Sequence, residues 1–203
     1  MAVTAMGATL TQQHRLAQLA IRAAMLRNLQ RLWPMFKPED FDTFDDFSAL
    51  AATLVQAGNR ASAALAARYL IAMRAIEEQP DETPPVIAPP PPVGVIRDEL
   101  RATGLLGTLN ALRAGKDLQA ASENGWVRAA GSASSLTLHG GRDTIVETVK
   151  KDPYCIGWER VTGGNPCDFC AMLADRGAVY REQTVDFEAH DHCACSAEPI
   201  FAS

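Results

Sequence analysis

The 203-residue sequence predicts a mainly α-helical protein that ends in a small α+β zinc-binding domain. Apolar residues recur at helical spacing before residue 79 and again after residue 94. Between these stretches, Pro80 to Pro92 holds most of the chain's prolines. Near the C-terminus, Cys167-Asp168-Phe169-Cys170 is followed about twenty residues later by His190-Asp191-His192-Cys193-Ala194-Cys195. That spacing brings thiolates and imidazoles together as a tetrahedral zinc site requires. The chain thus divides into a helical region (1–79), a proline-rich linker (80–93), a second helical region (94–141) and a zinc-binding domain (142–203).

From Thr11 to Trp33 the apolar positions Leu16, Leu19, Ala23, Leu26 and Trp33 describe an amphipathic helix. No acidic residue precedes Glu39, whereas Arg15, Arg22, Arg27, Arg31 and Lys37 do, so this segment reads as a basic arm. A solvated helix face is its first reading, with contact to nucleic acid or to an acidic protein as the alternatives. Pro34 and Pro38 interrupt the helix. Thr43 and Asp46 resemble a capping box for a second helix, which runs through Leu50, Leu54, Leu65, Tyr69 and Met73 to about Glu78 and has a break point at Gly58-Asn59. The alanine-rich run from Ala61 to Ala67 suits close helix–helix contact.

The proline run excludes helix and central strand and predicts polyproline II, a semi-rigid spacer of roughly 40 Å that separates two cores. Helices follow at Val95–Thr103 and Leu105–Arg113, broken by Gly104 and Gly115, and over residues 117–130, where Leu118, Ala121, Trp126 and Val127 are available for packing. Gly131-Ser132-Ala133-Ser134-Ser135 predicts a flexible joint, and Gly140-Gly141 a second. Asp143 to Lys150 reads as a short helix that buries Ile145, Val146 and Val149. Ile156 to Val161 alternates as a strand does, with Ala178-Val179-Tyr180 as its expected partner.

Asn165-Pro166 forms a turn that presents Cys167 and Cys170 to one side, a local half-site. The second cluster offers more groups than the two still needed. Cys193 leads, then His190 or Cys195, and His192 comes last because it adjoins Cys193. An odd count of five cysteines, and the strained rings that C-x-C and C-x-x-C bridges would close, argue against a disulfide framework. Four protein ligands make the zinc structural, since catalytic zinc keeps an open position. Cys155 lies outside the motif and reads as a small buried apolar residue. The net charge of −5 does not favour general nucleic-acid binding by the whole chain. No apolar run approaches the roughly twenty residues a membrane span needs, and the N-terminus lacks a signal peptide's basic start. These features predict no membrane association and a cytosol-like compartment in which thiols stay available for metal.

Gly157-Trp158-Glu159-Arg160-Val161, Cys167-x-x-Cys170-Ala171-Met172-Leu173-Ala174 and His190-x-x-Cys193-x-Cys195 before Glu198-Pro199 together resemble the C-terminal domain of phage Mu F-like minor head proteins. The likeness is to the version found in tailed phages of actinobacteria, often described as capsid maturation proteases. It covers roughly residues 142–201, and more loosely the helical region before them. Arg142, Trp158 and Arg160 sit where that family tends to carry matching residues, while Ala194 replaces its usual basic residue. The resemblance implies a low-copy head component that is made in the bacterial host cytoplasm and carried inside the virion head. Its implied partners are the portal, the major capsid protein, or both, with packaged DNA a further contact for the basic arm, and it implies no small-molecule substrate. Its implied role is in head assembly or genome delivery.

Chemistry favours a structural role over an enzymatic one. The chain has neither a Gly-x-Ser-x-Gly elbow nor an H-E-x-x-H helix. Ser134, Ser135 and His139 fall on a Gly/Ser-rich stretch, read as a solvated loop, with no identifiable acid or base partner. No catalytic residue is assigned. The alternatives are a capsid maturation protease and a zinc-stabilised nucleic-acid-binding module.

Overall fold

Two of the long helices begin where a side chain can satisfy free N–H groups of the first turn. In the computed structural model, which describes residues 4–80, 83–164, 166–177 and 186–202, the Thr4 hydroxyl accepts from the Gly7 N–H at 3.1 Å and opens α1 (Ala5–Leu32). Asp117 does the same for α5 (Leu118–Lys151), accepting from the Ala120 N–H at 2.8 Å. A 3₁₀ turn at Trp33–Met35 follows α1, and α2 spans Thr43–Ile76. The capping box expected at Thr43 is corrected. Asp42 stands at the N-cap without a side-chain bond, and the Thr43 hydroxyl instead accepts from Lys37 N–H and donates to the Asp40 carbonyl, closing the preceding loop.

The basic segment is not a free arm, because α1 packs against both α2 and α5. Its buried positions are Gly7, Thr11, His14, Gln18, Met25 and Leu29, so Leu16, expected on the apolar stripe, is exposed. Thr11 and Gln18 can hold the inner face because hydrogen bonds to α2 and the C-terminal strand satisfy them. Helix α2 runs unbroken through Gly58-Asn59, and its buried Ala63, Ala66 and Ala67 permit the close contact expected there.

The two joints expected at 131–135 and 140–141 are instead the interior of α5, which is continuous from Leu118 to Lys151. Their small residues serve close packing. A Cβ on Gly140 would lie 2.2 Å from the Asn59 carbonyl oxygen of α2, so only glycine permits this approach. The Asn59 amide then donates to the Leu136 carbonyl of α5 at 2.7 Å. Gly104 likewise does not break its helix. It lies in a π-helical segment (Arg101–Leu105) that joins α3 (Val93–Leu100) to α4 (Leu106–Arg113).

The proline-rich segment does not hold two cores apart. Val86 and Ala88 donate their N–H groups to the Thr148 and Thr144 hydroxyls of α5, at 2.9 and 3.1 Å, and the Pro91 carbonyl accepts from Gln56 of α2 at 3.0 Å. Both hydrophobic cores draw on residues from either side of it. One contains Met25, Phe44, Phe47 and Val55 with Ile96, Leu100 and Ala129. The other joins Tyr69, Leu70 and Met73 of α2 to Ile145, Val149, Trp158 and the cysteines of the C-terminal motif. A buried ion pair between Arg74 and Asp152 ties the end of α2 to the end of α5.

After α5 the chain forms β1 (Cys155–Val161), the short α6 (Asp168–Ala174) and β2 (Ser196–Phe201). The strands pair antiparallel, with Trp158 opposite Pro199 and Glu159 opposite Glu198. The strand expected at Ala178-Val179-Tyr180 lies outside the described residues. Among the described residues, no helix is long and apolar enough to cross a membrane.

Candidate metal centre

The first turn of α6 builds the local half-site. Cys167 is its N-cap, where the sulfur accepts from the Cys170 N–H at 3.5 Å, and one helical turn sets Cys170 on the same side. Asn165 of the expected Asn165-Pro166 turn lies outside the described residues. His190 meets the half-site from the returning chain, with Nε2 2.9 Å from Cys167 Sγ and 3.5 Å from Cys170 Sγ. Cys193 Sγ stands 3.6 Å from Cys170 Sγ. Zinc–ligand bonds of about 2.0–2.3 Å give tetrahedral edges of roughly 3.6–3.8 Å, which the last two separations approach. The five donors form two triads that share the Cys170 sulfur: Cys167, Cys170 and His190, and Cys170, Cys193 and Cys195. Cys167 and His190 are exposed, whereas Cys170, Cys193 and Cys195 are buried in the second core.

The donor chemistry fits a metal. His190 Nδ1–H donates to the Asp191 carbonyl at 2.6 Å, which leaves the Nε2 lone pair facing the sulfurs. The Cys170 N–H draws the Cys167 thiol below its ordinary pKa. A hydrogen bond from Cys195, reinforced by the Arg142 charge, pulls Cys193 down to about 4. Cys195, as the partner that keeps its proton, is pushed up, and burial raises Cys170 to about 11. Binding a cation displaces protons from such thiols, so metal affinity here depends on pH.

His192 takes no part in either triad. It has a positive φ of 63° and packs on α5, where a Cβ on Gly131 would meet its Nε2 at 2.6 Å. Cys155 is also elsewhere. It is half-buried at the start of β1, and its thiol faces Asp152 at 3.4 Å.

The spacing of cysteines could not reveal what supports them. Arg142 of α5, 2% exposed, donates from Nε to the Cys195 carbonyl at 3.0 Å and from Nη2 to the Cys193 carbonyl at 2.9 Å. It clamps the backbone that carries two of the donors. Phe187 lies beside it, 5.0 Å from the Arg142 guanidinium, 3.9 Å from that of Arg160 and stacked on Trp158 at 5.3 Å. Arg160 also donates to the Glu188 carbonyl at 2.6 Å, which fixes the chain leading into His190. Trp158, 2% exposed, is a core residue, as its type predicts.

The expectation that Ser134, Ser135 and His139 lie on a solvated loop is corrected: all three are on α5. Ser134 is fully buried and its hydroxyl donates to the Ala130 carbonyl at 2.7 Å. Ser135 sits 3.4 Å from His139 Nε2, an i, i+4 neighbour on the same helix. Burial holds His139 below its ordinary pKa.

The VG15 protein family model matches residues 6–203, nearly the whole chain. The chain belongs to the VG15 family. It is therefore a phage protein, whose C-terminal Cys/His cluster can hold a metal ion. No curated protein and no solved structure matches it.

Proposed function

We propose that this VG15 protein is a minor component of the phage head, associated with the portal or inner capsid, that acts in head assembly or genome delivery and carries one structural zinc. The supporting observation is a cluster of thiols and imidazole that is exposed at Cys167 and His190 and rooted, through Cys170, Cys193 and Cys195, in a core shared by α2, α5 and the terminal strands; four protein ligands drawn from it would lock the fold and leave no open coordination position. Cys167, Cys170, His190 and Cys193 hold the ion. Cys195 stays outside as the hydrogen-bond donor to Cys193. The buried, helix-bonded Ser134 supports a structural role over proteolysis, since a nucleophile must reach its substrate. Arg27, Arg31 and Lys37, exposed at the far end of α1, are the contact offered to packaged DNA.

Two measurements test this. Elemental analysis of protein purified under reducing conditions should find close to one zinc per chain, retained in Cys195→Ser and lost in Cys193→Ser. The reverse pattern exchanges the fourth ligand, and absence of zinc from the wild type refutes the metal reading. Purified virions should contain the protein in low copy, and its deletion should impair head assembly or infectivity while any capsid cleavage proceeds. Uncleaved capsid protein, rescued by wild type but not by a Ser134 or Ser135 variant, refutes the structural reading.

A further inference from the structure

At the end of the bundle opposite the Cys/His cluster, α1, the 3₁₀ turn after it and the start of α5 enclose an open groove of about 470 Å³. Trp33, Pro34, Pro38, Leu118 and Trp126 line it together with Gln30, and Leu118 is 49% exposed. Clefts of about 300–1,000 Å³ are large enough to seat a ligand. Aromatic-lined grooves recognise extended proline-rich segments, because a proline run is already straight and loses little freedom on docking. Such a run offers carbonyl acceptors and few N–H donors. The groove supplies the donors. The Gln30 amide and the Trp126 indole N–H make no hydrogen bond among the described residues, whereas the Trp33 N–H is occupied by the Ser122 hydroxyl at 3.1 Å.

The chain itself carries a segment of this kind. Residues 84–92 form neither helix nor strand, and their inner side is bonded to α5 and α2 through Val86, Ala88 and Pro91. Pro84, Ile87, Pro89 and Pro92 are exposed along the outer side, Ile87 at 60%. This ridge cannot reach the groove of its own chain. It is fastened to Thr144 of α5, roughly 27 Å along that helix from Trp126 at 1.5 Å per residue. Groove and ridge therefore meet only between two copies.

Charge favours the same pairing. The α1 wall of the groove is purely basic, with Arg27 and Arg31 within a turn of Gln30 and no acid anywhere in the helix. The acids at the start of α5 are already engaged: Asp117 accepts from the Ala120 N–H and Glu123 from the Gln119 amide, at 2.8 and 3.0 Å. Lys37 and Glu39, beside Pro38, offset each other. The sequence leading into the ridge, Glu77-Glu78-Gln79-Pro80-Asp81-Glu82-Thr83, carries four acids. An acidic stretch followed by prolines complements a basic wall beside two indoles.

We propose that this groove binds the exposed proline ridge of a second copy of this chain. Groove and ridge are different patches, so one contact leaves a groove and a ridge free, and the contact can repeat into a ring or an open chain. The inference goes beyond the proposed place in the phage head and depends neither on it nor on the zinc.

The test is sedimentation velocity on the full chain, free of nucleic acid that would compete for Arg27 and Arg31. Contacts of this size are weak, so the weight-average mass should rise roughly twofold or more between about 10 and 500 μM. Leu118→Glu damages the groove and Ile87→Glu the ridge, each at an exposed position where the fold is expected to tolerate the change. Each variant alone should remain a single chain at every concentration. An equal mixture should form a pair and grow no further, because only the ridge of the first and the groove of the second are intact. A wild type that stays monomeric, association that either variant retains, or a mixture that fails to pair each overturns the proposal.

Discussion

Replacing Arg142 with Met keeps the length of the side chain but removes the guanidinium that holds the Cys193 and Cys195 carbonyls. Hydrogen bonds from a charged donor contribute about 1.5–3 kcal/mol each, so losing two costs roughly 3–6 kcal/mol. Part of this is offset, because the wild type buries a cation with one unpartnered nitrogen, a penalty of about 1–3 kcal/mol that the variant escapes. The net loss is about 3 kcal/mol, against a total stability of roughly 5–15 kcal/mol for a folded domain. For a chain of this size that is a fall in melting temperature of roughly 6–12 °C. Metal affinity should drop about 10–100-fold, the usual consequence of disturbing groups that orient the ligands. Chelator competition followed by a colorimetric zinc indicator reads the affinity, and urea titration reads the stability. Arg142→Lys should fall between, since one ammonium cannot serve both carbonyls at these distances. If Arg142→Met releases zinc no faster than wild type, the clamp does not position the ligands and the reasoning fails.

Chelating the metal, or substituting Cys170 with Ser, should melt the whole chain in one transition, because Tyr69, Leu70 and Met73 share a core with Cys170 and Cys193. Two separate transitions by calorimetry would show that the cores are independent. Gly140→Ala should destabilise by roughly 1–3 kcal/mol or more, measured by urea unfolding, as the new methyl meets the Asn59 carbonyl at 2.2 Å. Stability should also fall as pH rises through about 4.5 to 7. Burial and then its cross-strand partner Glu159 raise Glu198 from its ordinary 4.5 to about 7, so the folded state binds the proton more tightly than the unfolded one and loses that advantage on deprotonation. Glu198→Gln should flatten this part of the pH–stability curve; an unchanged slope would assign it to another group.

Helices α1 and α2 were legible because periodicity marks them, and the metal-ligand candidates because thiol and imidazole spacing has few other meanings. What escaped prediction depended on tertiary contacts. Gly131 to Ser135 and Gly140-Gly141 look like joints in isolation, since glycine and serine weaken an isolated helix. Here α2 and the His190–Cys195 turn approach α5 so closely that larger residues would clash. The proline segment has the composition of a spacer, and nothing local announces that Thr144 and Thr148 would capture its N–H groups. Strand β2 was hidden by Pro199, which a two-stranded sheet tolerates on an open edge. Arg142 lies 51 residues before Cys193, beyond the reach of any local pattern.

The packing bears on the role proposed for this protein. A terminal zinc domain carried on a long spacer would be a reaching device, free to move relative to its anchor. Here the two ends of the chain are bonded to each other: Thr11 of α1 donates to Glu198 of β2, and Tyr69 of α2 shares the Thr11 hydroxyl at 2.7 Å. Loss of a metal from the Cys/His cluster should therefore loosen the seat of the first helix as well as the last strand. At the other end of α1, roughly 33 Å away along a helix that rises 1.5 Å per residue, Trp33 packs against Phe47 and Trp126 and donates to the Ser122 hydroxyl. Arg27, Arg31 and Lys37 lie near that aromatic end. A contact made there with DNA or capsid would be held by the same long helices that the Cys/His cluster joins to the last strand at the opposite end, so the proposed zinc would set the rigidity of the bundle without touching the partner.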